Sequence, residues 1–504
     1  WTCPVEREAS LLGPGEVRFL NQRACIDTPS CWNDPCFEKL WLYNLHYFDD
    51  LNAREAQQRV EWHRRLIERW IAENPLGFGT GWEPSPTSLR IVNWIQWILA
   101  GNQPSESMHH SLAVQARWLR RKLEYHILGN HLLANAKALC FAGRYFGGSE
   151  GKRWWRKGHA LLVRQLPEQI LTDGGHFERS PMYHLLVLED MLDLVNLYQA
   201  YGEAVPEAWH ETIRLMLAWS RAMRHPDGEI PFFNDAAFGV AATPQEIEQY
   251  GQRLDIRDAD SPCEAEAGTD LEESGYICLA IHRAVALLDT APLGPDYLPA
   301  HAHADTLSFE LSIDEQRVIV NGGTSVYGTT EERERQRSTA AHSTLVIDGQ
   351  DSSEVWAGFR VSRRARVLER GVVGAESCVG AFGAHDGYRH LPGRPVHHRQ
   401  WWLSEGALSI EDHLKGEGEH CIDVIFPLHP VLEVVEGGGG VLQIQTAHGQ
   451  RVTSLLPDTA CTAQVEAIHW HPRFGAPQPA YRIRCSLRSP LPCTVRTLIH
   501  WHDE

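Results

Sequence analysis

No stretch of the 504 residues approaches the roughly 20 consecutive apolar residues needed to cross a bilayer as a helix, so no membrane span is expected. Positive charge is in the minority: 47 Lys and Arg against 65 Asp and Glu give a net charge of −18. That balance argues against general binding to nucleic acid or to anionic membranes. It leaves room for local basic sites. Three basic clusters stand out, Arg120-Arg121-Lys122, Arg333/Arg335/Arg337 and Arg363-Arg364, and each is read first as a solvated face. The 12 cysteines include no C-x-x-C pair, and Cys3, Cys25, Cys31 and Cys36 near the start come without zinc-ligand spacing. A disulfide framework is compatible with this count but not demanded in so long a chain. The sequence shows no signal peptide, but it starts at Trp1 rather than Met, as a chain that has lost a leader or tag would, so the compartment stays open. No fixed-length repeat occurs either, which argues against a regular solenoid.

What is present points to a multidomain α+β protein. At 504 residues the chain exceeds one ordinary core. Most of the 18 Trp must be core, although flat aromatic rings also suit carbohydrate clefts. The first half reads as helices. Residues 54–74 place Val60, His63, Ile67, Trp70 and Ile71 on one stripe, and Asn74-Pro75 stops it. Further helices are predicted over 88–100, 105–126, 130–146, 151–171, 180–201 and 207–224. Residues 132–146 are apolar nearly all round, as an inner helix should be. Short connections between such helices predict an α/α toroid over 1–245. An acidic segment, 246–274, is expected to link it to a second domain. From Gly275 to Glu504 the period changes to two, and many short strands without helices predict an antiparallel β-sandwich. One strand is expected over 276–288. A cleft between the two domains is the default binding site.

Histidine placement is the strongest chemical signal. In Pro299-Ala300-His301-Ala302-His303-Ala304-Asp305 two imidazoles stand two residues apart in a strand-like run, so they should share a face. His342, in Ala341-His342-Ser343-Thr344, opens a nearby strand and can meet them. Converging imidazoles mean a metal site, acid/base chemistry, or polar residues satisfied at strand ends. In the helical half, Asn130 of Gly129-Asn130-His131 is either an N-cap or a functional amide. Downstream, Ser180 fits an N-cap and Pro181 the first helical position. Tyr183 then falls in the first turn. There the helix dipole should lower its pKa and ready it for proton transfer, unless it is an ordinary amphipathic residue.

Taken in order, Asn130-His131, Glu178-x-x-x-x-Tyr183, His301-Ala302-His303-Ala304-Asp305, Val320-Asn321-Gly322-Gly323 and Ala341-His342-Ser343-Thr344 resemble the heparinase II/III-like polysaccharide lyases. The resemblance begins near Trp41-Leu42-Tyr43-Asn44-Leu45-His46-Tyr47-Phe48. It continues through Gly81-Trp82-Glu83-Pro84 and Arg90, and reaches Trp470-His471-Pro472-Arg473-Phe474-Gly475. The family's toroid and sandwich agree with the reading above. The resemblance implies β-elimination on an acidic, uronic-acid-containing polysaccharide. Asn130 would hold the substrate carboxylate, assisted by His301. Tyr183 would serve as acid and also as base, with His131 the alternative base. Trp82, Arg90 and Glu178 would contact substrate, or else pack and pair at helix ends. His303 and His342 match a structural divalent-metal site (Zn, or Ca or Mn), usually completed by an aspartate. Asn321, a poorer ligand than a carboxylate, stands at that position, so either Asp305 or a water completes the set or the site holds no metal. The resemblance favours a periplasmic or secreted bacterial setting, with a cytoplasmic one left open, and the negative net charge favours a carboxylate-only polymer. Two other readings stay open: a glycoside hydrolase using Glu178 and Asp235, and a silent carbohydrate-binding or assembly protein.

Overall fold

A computed structural model describes residues 1–256, 268–375 and 378–501. The chain divides into two compact units. The first comprises Trp1–Ile170, Leu186–Arg214 and Glu246–Arg257; the second comprises Leu171–Leu185, Leu215–Gln245 and Asp258–Glu504.

The first unit is helical apart from three short antiparallel strands, Leu11–Gly13, Glu16–Phe19 and Gln22–Cys25, which no apolar alternation announced. Its centre is helix Gly129–Phe146, buried on nearly every side from Leu132 to Gly143, as its sequence required. The next helix, Gly148–Gln169, packs closely on it. The approach depends on glycine: a methyl at Gly158 would lie 2.6 Å from the Ala136 carbonyl oxygen. One cation, Lys137, lies inside this helix. Asp190 (2.7 Å) and Asp193 (2.6 Å) neutralise it. Tryptophans build the rest: Trp32, Trp41, Trp70, Trp94, Trp97 and Trp154 are all buried in this unit. The acidic segment expected as a linker starts as the end of helix Pro244–Arg253, and its residues 257–267 lie outside the described residues.

The second unit carries four antiparallel sheets among the described residues, of five, eight and four strands and a two-stranded ribbon, Val355–Trp356 with Arg360–Val361. The five-stranded sheet runs Gly268–Leu271, Tyr276–Ile281, Ala284–Asp289, Phe309–Ile313, Gln316–Ile319. The expected single strand over 276–288 is a hairpin. His282, at φ 48°, and Arg283 make a two-residue turn, which preserves the alternation and so hides itself in the pattern. The other sheets contain strands that apolar patterning missed. Cys378–His385 holds Gly380 and Gly383, each covered by a neighbour's side chain (Trp402 and Leu307). Thr462–Trp470 is a largely exposed edge strand. A single apolar core joins the sheets, with Phe309, Leu311, Trp401, Ile410, Val424 and Ile499 fully buried in it. No helix among the described residues is long and apolar enough to cross a membrane. The thiols of Cys3, Cys25, Cys31 and Cys36 are free.

Candidate active site

The site grows from one carboxylate in the second unit. Asp235 is fully buried and accepts hydrogen bonds from both terminal nitrogens of Arg333, from His301 Nδ1 (2.9 Å), from His303 Nε2 (2.9 Å) and from Thr324 Oγ1 (3.3 Å). Its pKa lies well below the carboxylate range. Burial opposes ionisation, but the Arg333 charge and the two imidazoles outweigh it. Asn234, at φ 55°, builds the loop around it. Its amide oxygen accepts from the His303 backbone, its own N–H donates to Asp305 Oδ2, and its side-chain nitrogen donates to Arg179 O. These bonds replace a β-ladder, so 301–305 is an ordered loop rather than the strand expected. The two imidazoles converge all the same, because both turn to one carboxylate.

Tyr183 reaches the same place from helix Pro181–Ala200. Ser180 caps that helix, accepting from the Tyr183 backbone N–H at 3.2 Å, as its sequence anticipated. The Tyr183 ring stacks on His301, centroids 3.8 Å apart and planes 28° apart. Its hydroxyl shares a hydrogen bond with Tyr327 at 2.9 Å. The expected lowering of its pKa is overturned. Burial and then the Asp235 charge push the phenol up, against a smaller opposing effect of the Tyr327 hydrogen bond and Arg333. The dipole of one helix end is weaker than those effects. Tyr327 is pushed up as well, chiefly by burial. On the far edge of His301, Nε2 lies 3.4 Å from Glu178 Oε2, so Glu178, itself buried, faces the imidazole.

Tyr327 and Arg333 were not singled out as site residues in the sequence. Arg333 and Arg337 belong to helix Glu331–Arg337, capped by Thr330. Both are buried, so the reading of this cluster as a solvated face holds only for Arg335, whose side chain is 71% exposed. The signal was spacing: residues 333 and 337, four apart, share a helix face that 335 does not. Arg333 also lies over the rings of Tyr327 and Phe359, at 5.0 and 5.4 Å.

His303 and His342 meet beside this cluster. His303 Nδ1 is 3.3 Å from His342 Nε2, and both imidazoles are held neutral by burial, at about 4 and about 3. Two imidazole nitrogens on a tetrahedral zinc ion, at about 2.0–2.1 Å each, stand about 3.3 Å apart. Asp305 brings a carboxylate oxygen within 4.8 Å of both nitrogens. Burial pushes the Asp305 carboxyl up, as a nearby cation would reverse. The Asp235 carboxylate on His303 Nε2 supplies the outer partner that metal-binding imidazoles require. The donor set therefore fits a divalent ion. Asn321 is not part of it: its side-chain oxygen accepts from the Ser343 N–H at 3.0 Å, and its nitrogen points at Ser308 Oγ.

In the first unit, Asn130 lies one residue inside helix Gly129–Phe146, so it is not the N-cap. Leu128 occupies that position without a side-chain cap, at φ 66° and ψ −152°. This backbone region is nearly restricted to glycine and costs of the order of 1–3 kcal/mol. His131, next along, is half-exposed with Nδ1 3.3 Å from Glu124 Oε1. Glu124 is in turn fixed by Asn135. Trp82 and Arg90, expected as substrate contacts, are core residues. Trp82 donates to Asn74 O, and Arg90 is fully enclosed over the Trp70 ring, donating to Gln115, His46 O and Thr87.

Comparison with known proteins gives the same outline. The profile described as Heparinase II/III N-terminus matches residues 90–255, and Heparinase II/III-like, C-terminal matches 264–497. A heparin-sulfate lyase of Bacteroides stercoris is 23% identical over 344 residues, covering 59% of this chain and 51% of the relative. FtsZ-localized protein C of Caulobacter vibrioides is 26% identical over 386 residues, covering 75% and 63%. The chain thus spans about half the length of the heparin-sulfate lyase it matches. A crystal structure of heparinase III superposes with a TM-score of 0.75 at 18% identity, over 93% of this chain and 78% of that one. That likeness is one of fold: a helical N-terminal region followed by antiparallel sheets.

Proposed function

Because the chain belongs to the heparinase II/III-like family, we propose that it is a polysaccharide lyase that cleaves a uronic-acid-containing polymer by β-elimination. A base takes the C-5 proton next to the sugar carboxylate. The C-4 to C-5 double bond forms as the bond from C-4 to the leaving oxygen breaks, and an acid protonates that oxygen. The observation that supports this reading is the contact of Tyr183 with both His301 and Tyr327. Both phenols are pushed up, so both rest protonated, and the acid role is directly available. For the base role, a Tyr183 phenolate gains the hydrogen bond from Tyr327 and the Arg333 charge. A proton taken from C-5 can then pass from the same oxygen to the leaving group. His301 is oriented by Asp235 through Nδ1, which leaves Nε2 on the Glu178 side for substrate. Asn130 and His131 keep the parts the family motif assigns them: amide donor to the carboxylate, and alternative base. The donor serves the charge that builds on the carboxylate as the C-5 proton leaves.

His303, Asp305 and His342 would hold a divalent ion, and two imidazoles with one carboxylate suit zinc better than calcium. Bound there, it would supply positive charge that fixes the loop bearing His301.

The hydrolase reading needs a free carboxylate pair. Asp235 is fully enclosed and saturated by Arg333, His301, His303 and Thr324, so it has no lone pair left for a nucleophile or base. A silent assembly role is the second reading, favoured by the long match to FtsZ-localized protein C. Incubation with a panel of uronic-acid polymers tests both. A lyase yields unsaturated ends that absorb in the ultraviolet, a hydrolase only new reducing ends, and an assembly protein neither.

A further inference from the structure

Far more acid than base is present in this chain, yet five cations line one depression of about 500 Å³ in the first unit: Arg120, Arg121, Arg153, Arg156 and Lys157. All are exposed or half-exposed, and none makes a salt bridge among the described residues. Helix polarity accounts for part of the cluster. Arg120 and Arg121 end helix Glu106–Arg121, where the dipole favours cations. It does not account for the rest. Arg153, Arg156 and Lys157 sit in the first half of helix Gly148–Gln169, where the dipole offers cations nothing. They are spaced i, i+3 and i+4, so three like charges share one face and repel, which costs helix stability. The neighbouring carboxylate, Glu150, is already taken by Arg117 through two hydrogen bonds. Glu150 also attracts Arg153 and Arg120, but one carboxylate already bound to Arg117 does not balance five further cations, and a face left so positive is built for an external anion.

The second observation is aromatic. The Tyr125 ring is 49% exposed and lies 5.3 Å from Lys157 Nζ. An exposed ring beside cations matches a pyranose that offers an apolar face and a charged substituent together. A bare inorganic anion has no use for it.

We propose that Arg120, Arg121, Arg153, Arg156, Lys157 and Tyr125 form an accessory site for a non-reacting stretch of an acidic polysaccharide. It uses none of the residues assigned to proton transfer. The identity of that polysaccharide as the substrate rests on the lyase reading; the binding itself does not.

The test is binding and turnover measured separately on the full chain. Binding is titrated with a long carboxylate-only polyuronate, a long sulfated glycosaminoglycan, inorganic polyphosphate and duplex DNA, at low and high salt. At least one polysaccharide should bind more tightly than polyphosphate and DNA. Losing three exposed charge contacts in Arg153→Gln/Arg156→Gln/Lys157→Gln should weaken that binding about tenfold at low salt and much less at high salt. Arg120→Gln/Arg121→Gln, on the other helix, should act in the same direction. Neither variant should alter the melting temperature or the turnover of a tetrasaccharide. Unchanged binding in both variants overturns the proposal, as does tighter binding of polyphosphate or DNA. If no polymer yields unsaturated ends while the variants still lose polysaccharide binding, the lyase reading fails and this site stands.

Discussion

The ring of Tyr183 lies face to face with that of His301, 3.8 Å between centroids, while its hydroxyl meets the hydroxyl of Tyr327 at 2.9 Å. One tyrosine thus couples an imidazole oriented by a buried carboxylate to a second phenol. The stack fixes where the phenol oxygen points, and the second phenol fixes which proton it shares. Proton transfer between C-5 and the leaving oxygen demands that kind of placement, because both events occur within reach of one atom.

Tyr327 should matter to rate beyond its packing. Tyr327→Phe keeps the ring contacts with Phe359 and Phe474 but removes the hydrogen bond that favours a Tyr183 phenolate. Turnover should fall by about 10²-fold, with about 1 kcal/mol lost in stability. Steady-state kinetics and urea unfolding of the same preparation check the two together. Wild-type turnover in this variant would reduce Tyr327 to a packing residue.

Asp235 and Arg333 form the enclosed ion pair that the site is built on. Asp235→Asn leaves the Arg333 guanidinium buried without its counter-charge, which should cost about 3–5 kcal/mol. Arg335→Gln, two residues from Arg333 but exposed, should stay within about 0.5 kcal/mol of wild type. Denaturant unfolding of the two variants separates them.

These two arginines show where sequence reading stops. The inner helix Gly129–Phe146 was legible because it is apolar on nearly every side, and the Ser180 cap because a serine followed by proline is the residue order of an N-cap and first helical position. Tyr183, His301 and His303 were legible from motif order, and the structure brings them together. Arg333 was not, since a run with arginine at 333, 335 and 337 looks the same whether two of them face inward or none. Tyr327 lies in the irregular stretch Ser325-Val326-Tyr327-Gly328, which has no periodicity to place it. Tyr183 was found for a reason that failed in detail: the helix end positions it, but enclosure and Asp235 set its proton affinity.

The neutral imidazole of His184 should make stability depend on pH. Its Nε2 bonds to Met216 O, its ring lies 4.3 Å from that of Trp219, and burial lowers its pKa to about 4. The unfolded chain, at about 6.5, takes up a proton that the fold refuses. The neutral form's contribution is therefore complete above about pH 6.5 and declines as pH falls toward 4. Buried acids pushed upward, such as Glu189 at about 7, act in the opposite direction. Comparison with His184→Gln isolates the imidazole. The stability advantage of wild type over the variant should shrink by up to about 2 kcal/mol between pH 7 and pH 5, measured by urea unfolding at each pH. A constant advantage would contradict the assignment.

The imidazole pair should bind a divalent ion. Elemental analysis of dialysed protein should find one ion per chain. A chelator should lower the melting temperature, and zinc should restore it. His303→Ala/His342→Ala should abolish both the ion and the restoration. An ion-free protein whose melting temperature ignores added zinc would show that Asp235, His303 and His342 are linked by hydrogen bonds alone.

The central claim rests on the oxygen of residue 183, and Tyr183→Phe tests it most directly. The variant retains the ring that stacks on His301 and loses only the hydroxyl. On whichever uronic-acid polymer the wild type converts to unsaturated product, the account predicts a loss of about 10²–10⁴-fold in turnover, with polymer binding retained and the melting temperature nearly unchanged. Wild-type production of unsaturated ends by Tyr183→Phe would contradict it.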